Sequence, residues 1–265
     1  LADGDDKSLA GKRVVITRAP EQSAELVAAL EQRGAQVLLL PVVAFAPPED
    51  WSVVDQHLRR ASEFDAIIFL SANAARYVLG RAKSQGIVLQ DAGGKRLFVA
   101  AVGPATVRAV QEQGTRADYV AREHRGRALA EELRHRIADQ DVLLPRSDRG
   151  DDSVPHALRD VGARVAEFVA YRNLLPPKVD AEIVKRVVNA EVDVVVFASP
   201  SAVHNFCLLL GGAERKDLAG RIAFAAIGPT TAEAMRDRGL PVTIRAADSS
   251  ADALARAIAE HYARA

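Results

Sequence analysis

Asp65-Ala-Ile-Ile-Phe69-Leu-Ser71-Ala-Asn73 returns 128 positions later as Asp193-Val-Val-Val-Phe197-Ala-Ser199-Pro-Ser201, and the reading of this pair decides the fold. In each copy a short apolar run meets a small hydroxyl residue, the form a buried strand takes where it turns into a helix. The spacing holds on either side. Arg18 closes Val14-Val15-Ile16-Thr17 as Arg146 closes Val142-Leu143-Leu144-Pro145, and Gly34 and Gly162 keep the interval of 128. Arg96-Leu-Phe-Val-Ala-Ala-Val102-Gly103-Pro104-Ala-Thr106 is answered by Arg221-Ile-Ala-Phe-Ala-Ala-Ile227-Gly228-Pro229-Thr230-Thr231, now at an interval of 125. Four matched blocks in the same order mark an internal repeat.

Each block predicts a strand, a small-residue turn and a helix, the alternation that builds a parallel sheet covered on both faces. Leu26, Val27 and Leu30 fall at helical spacing and Gly34 stands where a left-handed C-cap stops the helix; Val154, Leu158 and Gly162 repeat the pattern. The expected strands lie near residues 13–17, 36–41, 65–70, 97–102, 118–121, 141–145, 165–171, 193–198, 222–227 and 242–245, five for each of two α/β domains. The simple cut would fall between the repeats, near Asp139. However, Pro47-Pro48 and Pro176-Pro177, the two Pro-Pro pairs of the chain, each follow the second strand of a βαβ unit and read as stiff linkers. Cutting there leaves a middle piece with five strands and two end pieces that reach five only together. The expected division is therefore interleaved: residues 1–45 with 178–265 as one domain, 49–170 as an inserted domain, and 46–48 and 171–177 as a double linker.

The bulk properties narrow the function. A chain of 265 residues suits two domains, and its 35 basic residues balance 35 acidic ones, so no overall field draws it to nucleic acid or an acidic membrane. Its apolar runs, such as 37–46, fall short of the roughly 20 residues a membrane helix needs. A single cysteine, Cys207, and no signal-peptide pattern point to the cytoplasm, and a monomer is expected. The stretch 1–8, polar and acidic, reads as a tail outside the fold.

Ligands of open parallel sheets bind beyond the carboxyl ends of the strands. The turns there carry Thr17-Arg18, Ser71-Ala72-Asn73, Gly103-Pro104-Ala105-Thr106, Arg146-Ser147, Ser199-Pro200-Ser201 and Gly228-Pro229-Thr230-Thr231. Four of the six open a helix, whose first N–H groups and partial positive charge favour an anion. Serine and asparagine also cap helices without binding anything. Taken together, two mirrored sets suggest two walls for one ligand with several carboxylates. Arg18 and Arg146, at equivalent strand ends, would clamp carboxylates; Thr230 and Thr231 would hold them by hydroxyl and amide, the alternative being an N-cap and a neutral neighbour. No Walker lysine follows a glycine loop and no G-x-G-x-x-G opens a helix, so no nucleotide cofactor is expected. The histidines His57, His124, His135, His156, His204 and His261 lack paired spacing, so no metal is expected either. Cys207 sits among Phe206, Leu208 and Leu209, as a packed thiol would. On the residues alone, a non-catalytic binder of small polycarboxylates and a flavodoxin-like regulatory module stay open beside an enzyme.

The blocks Val15-Ile16-Thr17-Arg18, Ser71-Ala72-Asn73-Ala74, Ala170-Tyr171-Arg172-Asn173, Phe197-Ala-Ser199-Pro-Ser201-Ala202 and Ala226-Ile227-Gly228-Pro229-Thr230-Thr231-Ala232 resemble those of the uroporphyrinogen-III synthases, from about Gly11 to the end. The resemblance implies two flavodoxin-like domains joined by a pair of strands, with no cofactor. The implied substrate is hydroxymethylbilane, four pyrroles in a chain bearing eight carboxylates, held between the domains. Its implied reaction loses water and closes the ring with ring D inverted. On its own Tyr171, at the end of the strand from Val165, reads as a packing aromatic. By the resemblance, it is the candidate acid.

Overall fold

A computed structural model of the chain describes residues 7–89, 94, 96–123, 126–211, 216–248 and 250–264. His124 and the start of the expected tail lie outside them. The described residues form β1 (Arg13–Ile16), α1 (Ala24–Glu31), β2 (Gln36–Leu39), β3 (Ala44–Ala46), α2 (Ser52–Arg59), β4 (Ala66–Phe69), α3 (Ala72–Ser84), β5 (Phe98–Ala101), α4 (Pro104–Glu112) and β6 (Tyr119–Val120). They continue as α5 (Gly126–Glu132), α6 (Arg134–Ile137), β7 (Asp141–Ser147), α7 (Ser153–Asp160), β8 (Arg164–Leu174), α8 (Ala181–Val188), β9 (Val194–Phe197), α9 (Pro200–Leu209), β10 (Ala223–Ala226), α10 (Pro229–Asp237), β11 (Ile244–Arg245) and α11 (Ala251–Ala263).

Two compact units result: the residues up to Ala44 together with those from Leu174 onward, and Phe45–Asn173. The first unit holds a five-stranded sheet in the order β11-β10-β9-β1-β2, all neighbours parallel. Read in chain order this is the 2-1-3-4-5 winding of the flavodoxin-like fold. The second sheet runs β3-β8-β7-β4-β5-β6. The repeat makes β4, β5, β7 and β8 the counterparts of β9, β10, β1 and β2, so the second unit has the same winding circularly permuted. Leaving β3 aside, each half of the repeat gives two strands to one unit and three to the other.

Every central strand alternates its side chains between two apolar layers, as a sheet covered on both faces requires. In the first unit Val15, Val195, Phe197 and Phe224 pack against α9 and α10, while Val14, Ile16, Val194 and Val196 pack against α1 and α11. In the second, Ile67, Phe69, Val99 and Leu143 meet α3 and α4, and Ile68, Ala100, Val142 and Leu144 meet α5 and α7. The glycine stops are as the spacing predicts. Gly34 and Gly162 take φ of 84° and 95°, and the next amides, Ala35 and Ala163, reach back to Leu30 and Leu158 at 3.1 Å.

One strand lies outside the ten read from the residues, and it belongs to the strand pair that the resemblance implies. Residues 44–46, read as the approach to a proline linker, form β3 at the edge of the second sheet beside β8, which itself runs on to Leu174. Three residues ahead of Pro47-Pro48 are too few to show a period of two, and β3 exists because β8 offers it an edge. The two crossings are thus a strand pair. Arg172 ties them within the second unit, donating to the Pro47 carbonyl at 3.0 Å and to Glu49 at 2.6 Å.

Candidate active site

In the second unit the strand carboxyl ends converge on one phenol. Ser71, directly after β4, is the N-cap of α3 and its Oγ accepts the Ala74 amide at 3.1 Å. The same oxygen lies 3.1 Å from the hydroxyl of Tyr171 on β8. β7 and β8 run in register up to Arg146 opposite Val169, where a bulge skips Ala170 and sets Ser147 opposite Tyr171. Ser147 thus stands beside Tyr171 on the neighbouring strand. Tyr77 of α3 stacks on the Tyr171 ring at 5.9 Å and 7°, and Phe45 of β3 meets it edge-on at 5.7 Å. Tyr171 is left 7% exposed. Burial pushes its pKa above the ordinary value, against the pull of the Ser71 and Ser147 hydroxyls and with a further push from Asp148. Burial, then Tyr171, raises Tyr77 as well.

The remaining expected residues of this unit sort by what already engages them. Ala72 and Asn73 are the first residues of α3. Gly103 is the N-cap of α4 with Pro104 behind it, and no side chain caps that helix; Thr106, in its first turn, is buried. Arg146 is bound at home. Its guanidinium meets Glu167, Asp152 at 2.6 Å and the Gly150 carbonyl at 2.5 Å. A clamp whose donors already meet two carboxylates has little left for a ligand.

In the first unit, Thr17 is fully buried and its Oγ1 donates to the Val196 carbonyl at 2.7 Å, closing β1 onto β9. Arg18 is exposed and donates to Gln22 at 2.9 Å. It borders a cavity of about 160 Å³ with Gln22, Ser23, Ala198, Ile227 and Ser250, at the carboxyl ends of β1, β9 and β10. Ser199 caps α9 by accepting the Ala202 amide at 3.2 Å, and Ser201 lies half-buried one residue into the helix. Gly228 is the N-cap of α10, with no side-chain cap, Thr230 exposed and Thr231 buried. Neither threonine is the cap. A larger cavity of about 280 Å³, lined by Asp65, Arg96, Phe98, His135, Arg136 and Gln140, lies at the amino ends of β4 and β5, away from all these turns.

Sequence reasoning selected Tyr171 and Ser71 but passed over Ser147, Tyr77 and Phe45. Ser147 stood in the quoted strand-end pair beside Arg146, where the charged neighbour drew the attention. Only a bulge, which no local pattern announces, turns it toward Tyr171. Tyr77 carried one signal: its counterpart 128 positions on is Asn205, a break in the repeat.

Two interleaved α/β units of flavodoxin-like winding, with hydroxyls and uncapped helix starts at the strand carboxyl ends, define a two-domain α/β protein of the doubly wound class. The sequence model of a family described as uroporphyrinogen-III synthase HemD matches residues 24–256. The chain is 31% identical over 263 residues to the uroporphyrinogen-III synthase of Synechococcus elongatus, covering 98% of each. It is 28% identical to that of Chlorobaculum parvum, over 94% of this chain and 98% of the relative. Among solved structures, a mutant uroporphyrinogen III synthase from Thermus thermophilus matches with a TM-score of 0.64 at 20% identity, covering 96% of this chain and 100% of that one. The Helicobacter pylori uroporphyrinogen-III synthetase matches at 0.57 and 18%, covering 92% and 97%. The chain belongs to the uroporphyrinogen-III synthase family, and its activity in tetrapyrrole biosynthesis is that family's. Among the described residues no helix is long and apolar enough to cross a membrane.

Proposed function

We propose that Tyr171 supplies the proton in the cyclisation of hydroxymethylbilane to uroporphyrinogen III, and that the uncapped helix starts hold the substrate's carboxylates. The observation that carries this reading is the Tyr171 hydroxyl, 3.1 Å from Ser71 Oγ at the strand ends where a doubly wound sheet takes its ligand. A phenol raised by burial above its ordinary pKa near 10 is protonated throughout the neutral range. The C–O bond of the terminal hydroxymethyl breaks with its electron pair on oxygen, which takes the phenolic proton and leaves as water. The pyrrole nitrogen next to that carbon has already activated the leaving group, so a weak acid suffices.

The cationic first ring is then attacked by the substituted carbon of ring D, and the spiro intermediate reorganises so that ring D is inverted. Restoring aromaticity at the new junction releases one proton, which returns to the phenolate, so the enzyme ends as it began. Without a guide the bilane closes with ring D unturned. The larger task is therefore positioning, which can supply up to about 7 to 11 kcal/mol. The amides at the start of α4 in the second unit and of α10 in the first, which no side chain caps, suit carboxylates, and Thr230 and Arg18 are exposed in the first unit. Thr17, Ser199 and Arg146 are engaged within their own units and act in this reading as supports. A cytoplasmic monomer belongs to the same reading, supported by the single cysteine, Cys207, buried on α9.

The test is Tyr171→Phe with freshly made hydroxymethylbilane, scored by turnover and by the ratio of type III to type I porphyrin after oxidation of the products. Turnover should fall by about a hundredfold, the lower end for a general acid, with KM little changed. A variant that turns over at the wild-type rate and still gives the type III isomer would return Tyr171 to packing.

A further inference from the structure

The repeat separates what the fold needs from what one unit has added. Ser71 and Ser199 are counterparts and both cap a helix with the same geometry. Three other residues around the phenol have no such counterpart. Val43 and Ala19 stand 128 positions before Tyr171 and Ser147, and Asn205 stands 128 after Tyr77. The first unit caps the equivalent helix with no phenol at Val43, no hydroxyl at Ala19 and no aromatic ring at Asn205. The second unit's additions are therefore not demanded by folding.

The bulge is an independent sign. Were the β7–β8 register continuous past Arg146 and Val169, Ser147 would face Ala170; instead the skipped residue sets it across from Tyr171. Bulges that re-aim a side chain cluster beside active sites. Both serine oxygens are then pinned from behind by backbone, Ser71 Oγ by the Ala74 amide at 3.1 Å and Ser147 Oγ by the Arg149 amide at 3.3 Å. Each serine already accepts one N–H, so the group it has left to give is its single O–H. A phenol oxygen that accepted from both hydroxyls, the nearer one 3.1 Å away on Ser71, would keep its own proton free to give elsewhere.

Building on the assignment of Tyr171 as the acid, we propose that Ser147 is a positioning residue: with Ser71 it donates to the Tyr171 oxygen, aims the phenolic proton at the leaving hydroxyl and stabilises the phenolate left behind. The proton passes from phenol to the departing oxygen, the negative charge stays on an oxygen held by two O–H donors, and the proton freed by ring closure restores the phenol. Ser147 itself exchanges nothing.

The experiment is a double-mutant cycle on the full chain with hydroxymethylbilane, comparing Ser147→Ala, Tyr171→Phe and both together, with kcat and KM measured across pH. Ser147→Ala should lower kcat about tenfold, the scale of one well-placed hydrogen bond, with KM unchanged. Because a lost donor destabilises the phenolate, the alkaline limb of the kcat profile should move to higher pH. In the Tyr171→Phe background, the same substitution should cost nothing further. Ser147→Thr and Ser147→Val share a shape, fit a strand and differ in the hydroxyl, so Thr should recover the rate and Val should not, whatever Ala does to folding. Equal rates for Thr and Val, or the full Ser147→Ala loss repeated in the Phe background, would overturn the proposal. Failure of the Tyr171 assignment looks different: Tyr171→Phe itself at the wild-type rate.

Discussion

His57 on α2 has a ring nitrogen, Nδ1, that is buried without a partner, and its ring stacks on Phe168 at 4.9 Å and 19° while Phe64 meets it edge-on at 5.9 Å. Burial first, and the Arg60 charge second, lower its pKa below the ordinary value. The folded chain therefore resists the proton that the unfolded chain takes up near pH 6.5. With the folded pKa depressed, this contribution to stability is fully present above about pH 6.5 and is lost as pH falls through the folded value. His57→Leu keeps the apolar contacts and removes the titration, so its Tm should drop less than that of the wild type between pH 7.5 and pH 5. Equal drops in the two proteins would show that His57 does not titrate against folding. Histidines scattered without metal spacing read as surface or packing residues, and His57 packs against Phe64 and Phe168. What no pattern at this scale carries is orientation: the alternative to carboxylate binding by Thr230 and Thr231 was that one of them caps the helix, yet Gly228 takes that place, because the backbone alone turns the chain there.

Asn205 of α9 shows an element held by one side chain. It is fully buried, and its Nδ2 donates to the Val42 carbonyl at 2.8 Å and to the Leu174 carbonyl at 3.2 Å, the points where the chain leaves and re-enters the first unit. Replacing it with Leu fills the space but leaves two carbonyls without that donor, a cost of about 2 to 4 kcal/mol. Hydrogen exchange should find β9 and β10 opening more readily while β4 and β7 keep wild-type protection. Unchanged exchange at β9 would mean that water replaces the amide. The interleaving was legible in the paired prolines, and the parallel strands in repeated apolar runs flanked by small residues, since Val14-Val15-Ile16 and Val194-Val195-Val196 read as strands buried on both faces. β3 and the last stretch of β8 are not legible in the residues themselves for one reason: residues 44–46 and 172–174 are strands by mutual pairing, and pairing partners are written far apart in the chain.

At the scale of the whole chain, the interleaving makes one unit continuous and the other dependent on both ends. Phe45–Asn173 contains every strand of the second unit beyond Ala44, whereas the first unit draws β1 and β2 from the start of the chain and β9, β10 and β11 from its end. β1 is central there, paired with β2 on one side and β9 on the other. A chain that begins at Phe45 loses Leu9, Val14, Val15, Ile16, Leu30, Leu40 and Val42, all buried to within 1% of completely, from both apolar layers of that unit. At about 1.5 to 3 kcal/mol for each such side chain, the loss is roughly 10 kcal/mol or more, against a usual domain stability of about 5 to 15. The truncated chain should therefore keep a folded second unit beside an unfolded remainder. Trp51, the only tryptophan, lies in the second unit with the Arg81 guanidinium 4.9 Å above its ring, so its fluorescence reports on that unit. On urea titration the truncated chain should retain a cooperative Trp51 transition, while amides of β9 and β10 exchange as in unfolded chain and regain protection when a peptide of residues 7–44 is added. Protected β9 and β10 amides in the truncated chain without the peptide would contradict this, because they would show that three strands hold their sheet without the central one.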